Sequence, residues 1–127
     1  MTPKRILLVE DDPHVRGACV EVLEGQAHTV VAVDDGATAL EEIRRRPPDV
    51  ILLDLIMPKA RMDGVKLLSR LAAGPRIPVI IMSAFGDALA EQLSPEVAAA
   101  LTITAILTKP FSFEVLVREI DRLDSLV

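Results

Sequence analysis

The chain has 127 residues, with 14 basic and 19 acidic side chains, so its formal net charge at pH 7 is −5. This length predicts one domain that buries its core without disulfides or a structural metal. The acidic balance argues against direct nucleic-acid binding, which needs a clustered basic face. The single cysteine, Cys19, excludes a disulfide framework and fits a reducing compartment.

Membrane association is also disfavoured by the sequence. No apolar stretch approaches the roughly 20 residues that a bilayer-spanning helix needs. The first residues, Met1 to Arg5, are not followed by a secretory signal. We therefore expect residues 1–127 to form a single cytoplasmic domain.

Five short apolar runs alternate with helical patterns along the chain. Runs that are apolar throughout are typical of strands covered on both faces, as in a parallel sheet with helices above and below it. The alternation therefore predicts an α/β fold built on a doubly wound parallel sheet. The runs predict strands at residues 6–9, 29–33, 50–53, 79–82 and 103–108.

The first helix has clear signals at its start. Asp12 followed by Pro13 is typical of an N-cap with proline at the first helical position. Cys19 falls on the apolar face of this helix, so we expect it in the core. His14 and His28 are expected at the surface or beside helices, because neither has a partner spaced for metal binding.

Later helices are bounded by proline. Pro47 and Pro48 stop the second helix. Ser94 followed by Pro95 predicts that a helix beginning near residue 87 breaks and restarts there. The apolar residues of the last helix predict its packed face: Phe113, Leu116, Val117, Ile120 and Leu123.

Polar side chains directly follow four of the predicted strands. Glu10 and Asp11 follow the first strand, Asp54 the third, Ser83 the fourth and Lys109 the fifth. Ligand sites in such sheets lie outside the carboxyl ends of the strands, so we expect these residues to converge. Carboxylates without neighbouring His or Cys suit a hard divalent ion such as Mg²⁺. An ammonium group and a hydroxyl facing that ion suit a phosphoryl group.

The motifs at these positions resemble those of the receiver domains of two-component response regulators. They come in the family's order, at nearly its spacing, and cover the whole chain. The resemblance implies a flavodoxin-like, five-stranded parallel sheet of order 2-1-3-4-5 with helices on both faces. The matching segments are Ile6-Leu7-Leu8-Val9-Glu10-Asp11-Asp12-Pro13, Asp54-Leu55-Ile56-Met57-Pro58 with Met62-Asp63-Gly64, Met82-Ser83-Ala84, and Thr108-Lys109-Pro110-Phe111.

The resemblance also implies a role for each site residue. Asp54 would accept a phosphoryl group from a histidine kinase or a histidine phosphotransfer protein. Lys109 would pair with Asp54 or its phosphate, and Ser83 would donate a hydrogen bond to a phosphate oxygen. The implied Mg²⁺ ligands are Asp11, Asp54, the backbone carbonyl of Ile56, and Glu10 through water.

Parts of the chain depart from the family pattern. The loop from Pro58 to Gly64 is longer than usual and adds Lys59 and Arg61 near the site. These charges could meet phosphate or the acidic surface of a partner, and solvated loop charges are the interpretation that we favour. By contrast, the junction before Pro110 matches the family's Lys-Pro junction, which implies a cis peptide bond. Ile106 stands where an aromatic switch residue is typical. The departures in the loop and at Ile106 leave the residues for phosphoryl transfer in place. They put in doubt which surface binds the downstream protein.

Three classes of function compete. The leading one is a phosphorylation-controlled signalling domain that is not an enzyme and acts on an unknown downstream protein. The enzymatic alternative is a Mg²⁺-dependent phosphatase with an aspartyl-phosphate intermediate. Such enzymes use a second carboxylate close after the nucleophile, whereas Leu55 and Ile56 follow Asp54. A flavodoxin-like cofactor binder is disfavoured because the turns offer no glycine-rich phosphate cradle.

The sequence leaves several properties open. It names neither the cognate kinase nor the oligomeric state. It is compatible with a complete single-domain regulator and with a receiver that belongs to a longer protein.

Overall fold

In the computed structural model, which describes residues 2–84 and 93–125, five parallel strands form one sheet of order β2-β1-β3-β4-β5. The predicted α/β fold and strand order are confirmed. The strands are β1 (Arg5–Val9), β2 (Thr29–Val33), β3 (Val50–Asp54), β4 (Pro78–Ser83) and β5 (Thr102–Thr108). The helices are α1 (Pro13–Gly25), α2 (Gly36–Arg45), α3 (Gly64–Leu71), α4 (Pro95–Ala99) and α5 (Phe113–Arg122), and a 3₁₀ turn follows at Leu123–Ser125.

Alternate residues of the central strands face two separate cores. Leu7 and Ile51 pack in the core that includes side chains of α2 and α3. Leu8 and Leu52 pack in the core that includes side chains of α1 and α5. All four are buried. Because helices cover both faces of the sheet, consecutive residues of the central strands are apolar, as in Ile6–Val9 and Val50–Leu53, instead of alternating with polar residues.

Side-chain caps begin the helices and support the predicted boundaries. Asp12 accepts hydrogen bonds from the backbone of His14 and Val15 at the start of α1. Ser94 accepts one from Val97 at the start of α4, which confirms that a helix starts at Ser94-Pro95. The helix predicted to begin near residue 87 lies outside the described residues. The helix α2 ends at Arg45, before the two prolines.

The edge strand β5 contains one extra residue. Its pairing with β4 steps from Val79 opposite Ile103 to Ile80 opposite Ala105, so Thr104 forms a bulge. The carbonyl of Thr104 accepts a hydrogen bond from Nη2 of Arg122 at 2.9 Å. The bulge is therefore tied to the end of α5.

The placement of Phe113 is wrong and that of Cys19 is confirmed, while His28 lies beside the end of α1 but is buried there. Phe113 is 38% exposed because it occupies the first position of α5, where its ring meets Phe111 edge-on. His28 is buried, and its Nδ1 accepts a hydrogen bond from the backbone of Lys4 at 3.0 Å. Burial lowers the pKa of His28, with the charge of Lys4 adding to the effect. Cys19 is fully buried, as predicted.

None of the helices in the described residues is both long enough and apolar enough to cross a bilayer.

Candidate functional site

The carboxyl ends of four strands deliver the predicted residues to one edge of the sheet. Glu10 and Asp11 directly follow β1, and Lys109 directly follows β5. Asp54 and Ser83 are the last residues of β3 and β4. Because neighbouring strands are parallel, the residues at their ends lie side by side. The side chains therefore converge because the sheet aligns the carboxyl ends of these strands.

Three carboxylates form the centre of the site. Glu10, Asp11 and Asp54 each offer an oxygen atom, and these atoms all lie within 4.8 Å of one another. Glu10 and Asp54 are buried, while Asp11 is half-buried and opens toward solvent. Carboxylate oxygens at this spacing are the ligands that hard divalent cations such as Mg²⁺ prefer.

Lys109 joins two of the carboxylates. Its Nζ donates a hydrogen bond to Oε1 of Glu10 at 2.6 Å and lies 3.3 Å from Oδ2 of Asp54. Burial by itself lowers the pKa of Lys109. The hydrogen bond to Glu10 and the charge of Asp54 outweigh that effect, and the pKa lies above its ordinary value. Lys109 therefore stays charged and balances part of the negative cluster.

The carboxylates carry more negative charge than one ammonium group balances. The pKa of Glu10 is raised to about 7, mainly by burial and also by the hydrogen bond to Asp54, while the hydrogen bond to Lys109 acts in the opposite direction. Burial also raises the pKa of Asp11, and the charge of Glu10 adds to it. Raised carboxyl pKa values mean that ionisation is opposed here, and a bound cation would relieve this opposition. The donor set therefore fits a divalent cation.

Ser83 and Ile56 border the cluster. Ser83 is buried, and its carbonyl accepts a hydrogen bond from the backbone of Lys109 at 2.8 Å. The backbone N–H of Ile56 donates to Oδ1 of Asp54 at 3.3 Å, while the residue itself is 45% exposed. The role of the Ile56 carbonyl as a metal ligand stays a prediction. The Lys109–Pro110 peptide bond is cis, as the resemblance implies.

Arg16 belongs to the site, although it is absent from the predicted residues. Its Nη1 donates hydrogen bonds to the carbonyl oxygens of Glu10 at 2.9 Å and Asp11 at 3.4 Å. The side chain therefore folds back from the first turn of α1 and holds the backbone that carries two carboxylates. In the sequence, Arg16 is only a charge on the polar face of a helix, which is also what a solvated arginine looks like.

The long loop after β3 is fastened to α2 by Arg61. Its Nε lies 3.3 Å from Oδ2 of Asp35, the residue that caps α2. Beside this ion pair, the backbone N–H of Gly36 donates to the carbonyl of Met62 at 2.8 Å. The Arg61 side chain is 75% exposed, so most of it is in contact with solvent, as predicted. Its pairing with Asp35 is an additional finding.

Comparisons with curated proteins give relatives of two different lengths. The response regulator receiver protein CpdR of Brucella abortus is 35% identical over 121 residues, which cover 94% of this chain and 96% of that protein. The transcriptional regulatory protein CseB of Streptomyces coelicolor is 38% identical over 115 residues, which cover 91% of this chain and 47% of CseB. The chain thus spans about half the length of CseB.

Solved structures and a family model agree with these relatives. The BeF3-activated N-terminal receiver domain of Klebsiella pneumoniae RstA superposes with a TM-score of 0.76 at 27% identity, covering 92% of this chain and 95% of that one. A sensor protein from Polaromonas sp. JS666 gives a TM-score of 0.82 at 27% identity over the full length of both chains. The family model described as the response regulator receiver domain matches residues 6–121. This chain therefore belongs to the receiver-domain family of two-component response regulators.

Proposed function

We propose that the domain accepts a phosphoryl group on Asp54 from a histidine kinase or histidine phosphotransfer protein, in a Mg²⁺-dependent reaction. One observation carries the proposal. The Asp54 carboxylate lies 3.3 Å from the Lys109 ammonium and within 4.8 Å of carboxylate oxygens of Glu10 and Asp11. A nucleophile, a fixed positive charge and a set of hard-cation ligands thus share one edge of the sheet.

Asp54 acts as the nucleophile in this scheme. A carboxylate oxygen of Asp54 forms a bond to the phosphorus atom of the donor, and the bond from phosphorus to the donor's leaving atom breaks. The reaction requires in-line positioning and neutralisation of charge on the transferring oxygens more than it requires acid or base catalysis. The Ile56 N–H holds one oxygen of Asp54, which fixes the orientation of the carboxylate.

The remaining residues neutralise charge. Lys109 lies beside Asp54, and its ammonium group would pair with the negatively charged oxygens of the transferred phosphoryl group. The Ser83 hydroxyl would donate a hydrogen bond to one of those oxygens. Asp11, Asp54, the carbonyl of Ile56 and, through water, Glu10 would hold Mg²⁺, which when bound neutralises charge on the phosphoryl group.

The chain is proposed to signal rather than to turn over a substrate. The phosphatase alternative requires a general acid close after the nucleophile, but Leu55 is buried and apolar and Ile56 is apolar. We propose that residues 1–127 act in the cytoplasm as one receiver domain, and that phosphorylation alters its binding to a downstream protein.

Intact-mass measurement before and after incubation with acetyl phosphate and Mg²⁺ tests the proposal. We expect the wild-type chain to gain one acid-labile phosphoryl group, and Asp54→Asn or a chelator to abolish the gain. Asp34→Asn is the matched control, because Asp34 is an exposed aspartate that directly follows β2 at the same edge of the sheet. Labelling that persists in Asp54→Ala or without metal contradicts the proposal, and steady hydrolysis of a phosphomonoester favours the phosphatase.

A further inference from the structure

A groove of about 620 Å³ lies beside the phosphoacceptor site, against the loop after β3 and the outer face of α3. We name it the α3 groove. Ile56 lines the groove, and its backbone N–H donates a hydrogen bond to Oδ1 of Asp54. Apolar and charged residues are mixed along it, among them Ile56, Val65, Arg61, Lys66 and the acidic Asp63.

The groove lies in a cationic part of an acidic chain. Residues 55–75 contain four basic side chains and one acidic side chain, although the whole chain has a formal charge of −5. The basic side chains are Lys59, Arg61, Lys66 and Arg70, all exposed. Within the described residues, no carboxylate lies within ion-pairing distance of Lys59, Lys66 or Arg70.

The one acidic residue of the segment is already engaged. Asp63 caps α3, and its Oδ1 accepts a hydrogen bond from the backbone of Lys66 at 3.0 Å. Ile56 is also the most exposed of the large hydrophobic residues in the described part of the chain. The groove therefore combines an exposed apolar residue, Ile56, with two exposed basic residues. Lys66 has no ion-pairing partner among the described residues, and Arg61 is 75% exposed beside Asp35.

We propose that the α3 groove binds an acidic segment of a partner protein, with an aliphatic or aromatic side chain of that segment seated between Ile56 and Val65. Carboxylates on either side of this anchor would face Lys66 and Arg61. Because the rest of the domain is acidic, it repels such a segment, so electrostatics direct the partner to this face and fix its orientation. The apolar wall and the overall negative charge favour protein over nucleic acid, which needs a continuous basic surface.

The proposal goes beyond the phosphoacceptor chemistry and is tested on the unphosphorylated domain without Mg²⁺. The probe is the peptide Ac-EDLLEELD-NH2, titrated into the isotope-labelled domain while amide resonances are followed by NMR. We expect shifts concentrated at residues 56–70 and weaker binding at higher salt, because exposed charges are screened. The neutral peptide Ac-QNLLQQLN-NH2 is expected to shift these resonances much less.

Lys66→Glu is the decisive variant, and we expect it to weaken the peptide affinity by about tenfold. The substitution keeps the backbone N–H that Asp63 binds, and an acidic residue near a helix N-terminus is compatible with folding. Arg44→Glu is the matched control, since Arg44 is an exposed arginine on α2 and the change in charge is the same. Lys66→Gln, which removes one charge without reversing it, is expected to give an intermediate affinity.

Several results overturn the proposal. Unchanged affinity in Lys66→Glu, equal losses in Lys66→Glu and Arg44→Glu, or shifts centred on α1 and α5 each exclude the α3 groove as the peptide site. A fluorescein-labelled single-stranded oligonucleotide is tested in parallel. If it binds these residues more tightly than the acidic peptide does, the surface recognises nucleic acid instead.

Discussion

At the residue scale, the site is a balance of charges that favours a bound cation. Glu10, Asp11 and Asp54 share one small volume, and the ammonium group of Lys109 contacts the two buried carboxylates, Glu10 and Asp54. Without a cation, the pKa values of Glu10 and Asp11 are raised, which means that their charged forms are unfavourable in free energy. A ligand that binds only the folded arrangement therefore stabilises the fold.

We predict that Mg²⁺ at tenfold excess over its dissociation constant stabilises the domain by about 1.4 kcal/mol. For a domain of this size, this corresponds to a rise in melting temperature of roughly 3 to 6 °C. Asp11→Asn is expected to reduce the Mg²⁺-dependent rise. It is also expected to melt at or above the wild-type temperature without metal, because one repulsive charge is gone. Thermal melts with and without Mg²⁺ measure both effects.

Asp34→Asn provides the control for that measurement, because it removes an exposed aspartate at the same edge of the sheet. It should keep the full Mg²⁺-dependent rise. Equal rises in wild type and Asp11→Asn would remove Asp11 from the metal site.

The residues at the strand ends could be predicted from the sequence because a buried strand has a definite end. Asp54 and Lys109 each follow an apolar run, and the sheet topology then determines where they meet. Arg16 and the Asp35–Arg61 ion pair could not be predicted in this way. Their contacts depend on the path of a long side chain through space, which neither hydrophobic periodicity nor residue spacing determines.

At the scale of elements, the start of α3 is packed directly against the end of β3. A Cβ atom on Gly64 would lie 2.3 Å from the carbonyl oxygen of Asp54 and 2.6 Å from Cα of Leu55. Only glycine permits this approach without movement of the backbone. The same glycine donates its N–H to the carbonyl of Leu55 at 3.0 Å. The position of Asp54, the proposed phosphoacceptor, is thus coupled to the position of α3.

We predict that Gly64→Ala destabilises the domain by about 1–3 kcal/mol, since the added methyl group overlaps backbone atoms that cannot rotate away. Gly17→Ala is the matched control within α1, where an added Cβ meets nothing within 4 Å. It should stabilise the domain by about 0.5–1 kcal/mol, because alanine favours the helix. Urea unfolding measures both variants, and a Gly64→Ala midpoint at or above the wild-type value would contradict the close packing.

The sequence predicted the five strands well because helices cover both faces, which leaves long apolar runs. It did not predict the bulge at Thr104. The carbonyl of Thr104 accepts a hydrogen bond from Arg122, which lies 18 residues further along the chain, and sequence periodicity does not show such a contact. Phe113 was misplaced for a similar reason, since apolar periodicity does not show that the first residue of a helix lies at its exposed end.

At the scale of the whole molecule, the sheet separates two cores, and a change at its edge must reach a surface where partners bind. The family pattern places an aromatic side chain on β5 for this purpose. Ile106 occupies that position here and is 43% exposed. A β-branched side chain is stiff at χ1, so Ile106 is a poor candidate for a large rotation. If phosphorylation shifts a population, other contacts must differ between the two states.

The helix α4 is a suitable candidate for that difference. None of its five residues is buried. Arg76 from the segment before β4 holds its end, with Nη2 donating to the carbonyl of Ala99 at 2.8 Å and Nη1 to that of Leu101 at 3.4 Å. An element with little buried apolar surface has a low free energy of local opening. Small changes at the sheet edge therefore alter its population more readily than they alter the strands.

We predict that Mg²⁺ with beryllofluoride, an analogue of the phosphoryl group, changes amide hydrogen exchange across residues 93–101 more than within β5. Exchange followed by mass spectrometry measures this in wild type and in Asp54→Asn, which should not respond. Ile106→Val should respond like wild type, because it retains a β-branched aliphatic side chain. Arg76→Ala should exchange faster at residues 95–101 before activation, because it removes the hydrogen bonds that hold the end of α4. Protection changes centred on Ile106, or a response lost in Ile106→Val, would show instead that β5 carries the switch without an aromatic residue.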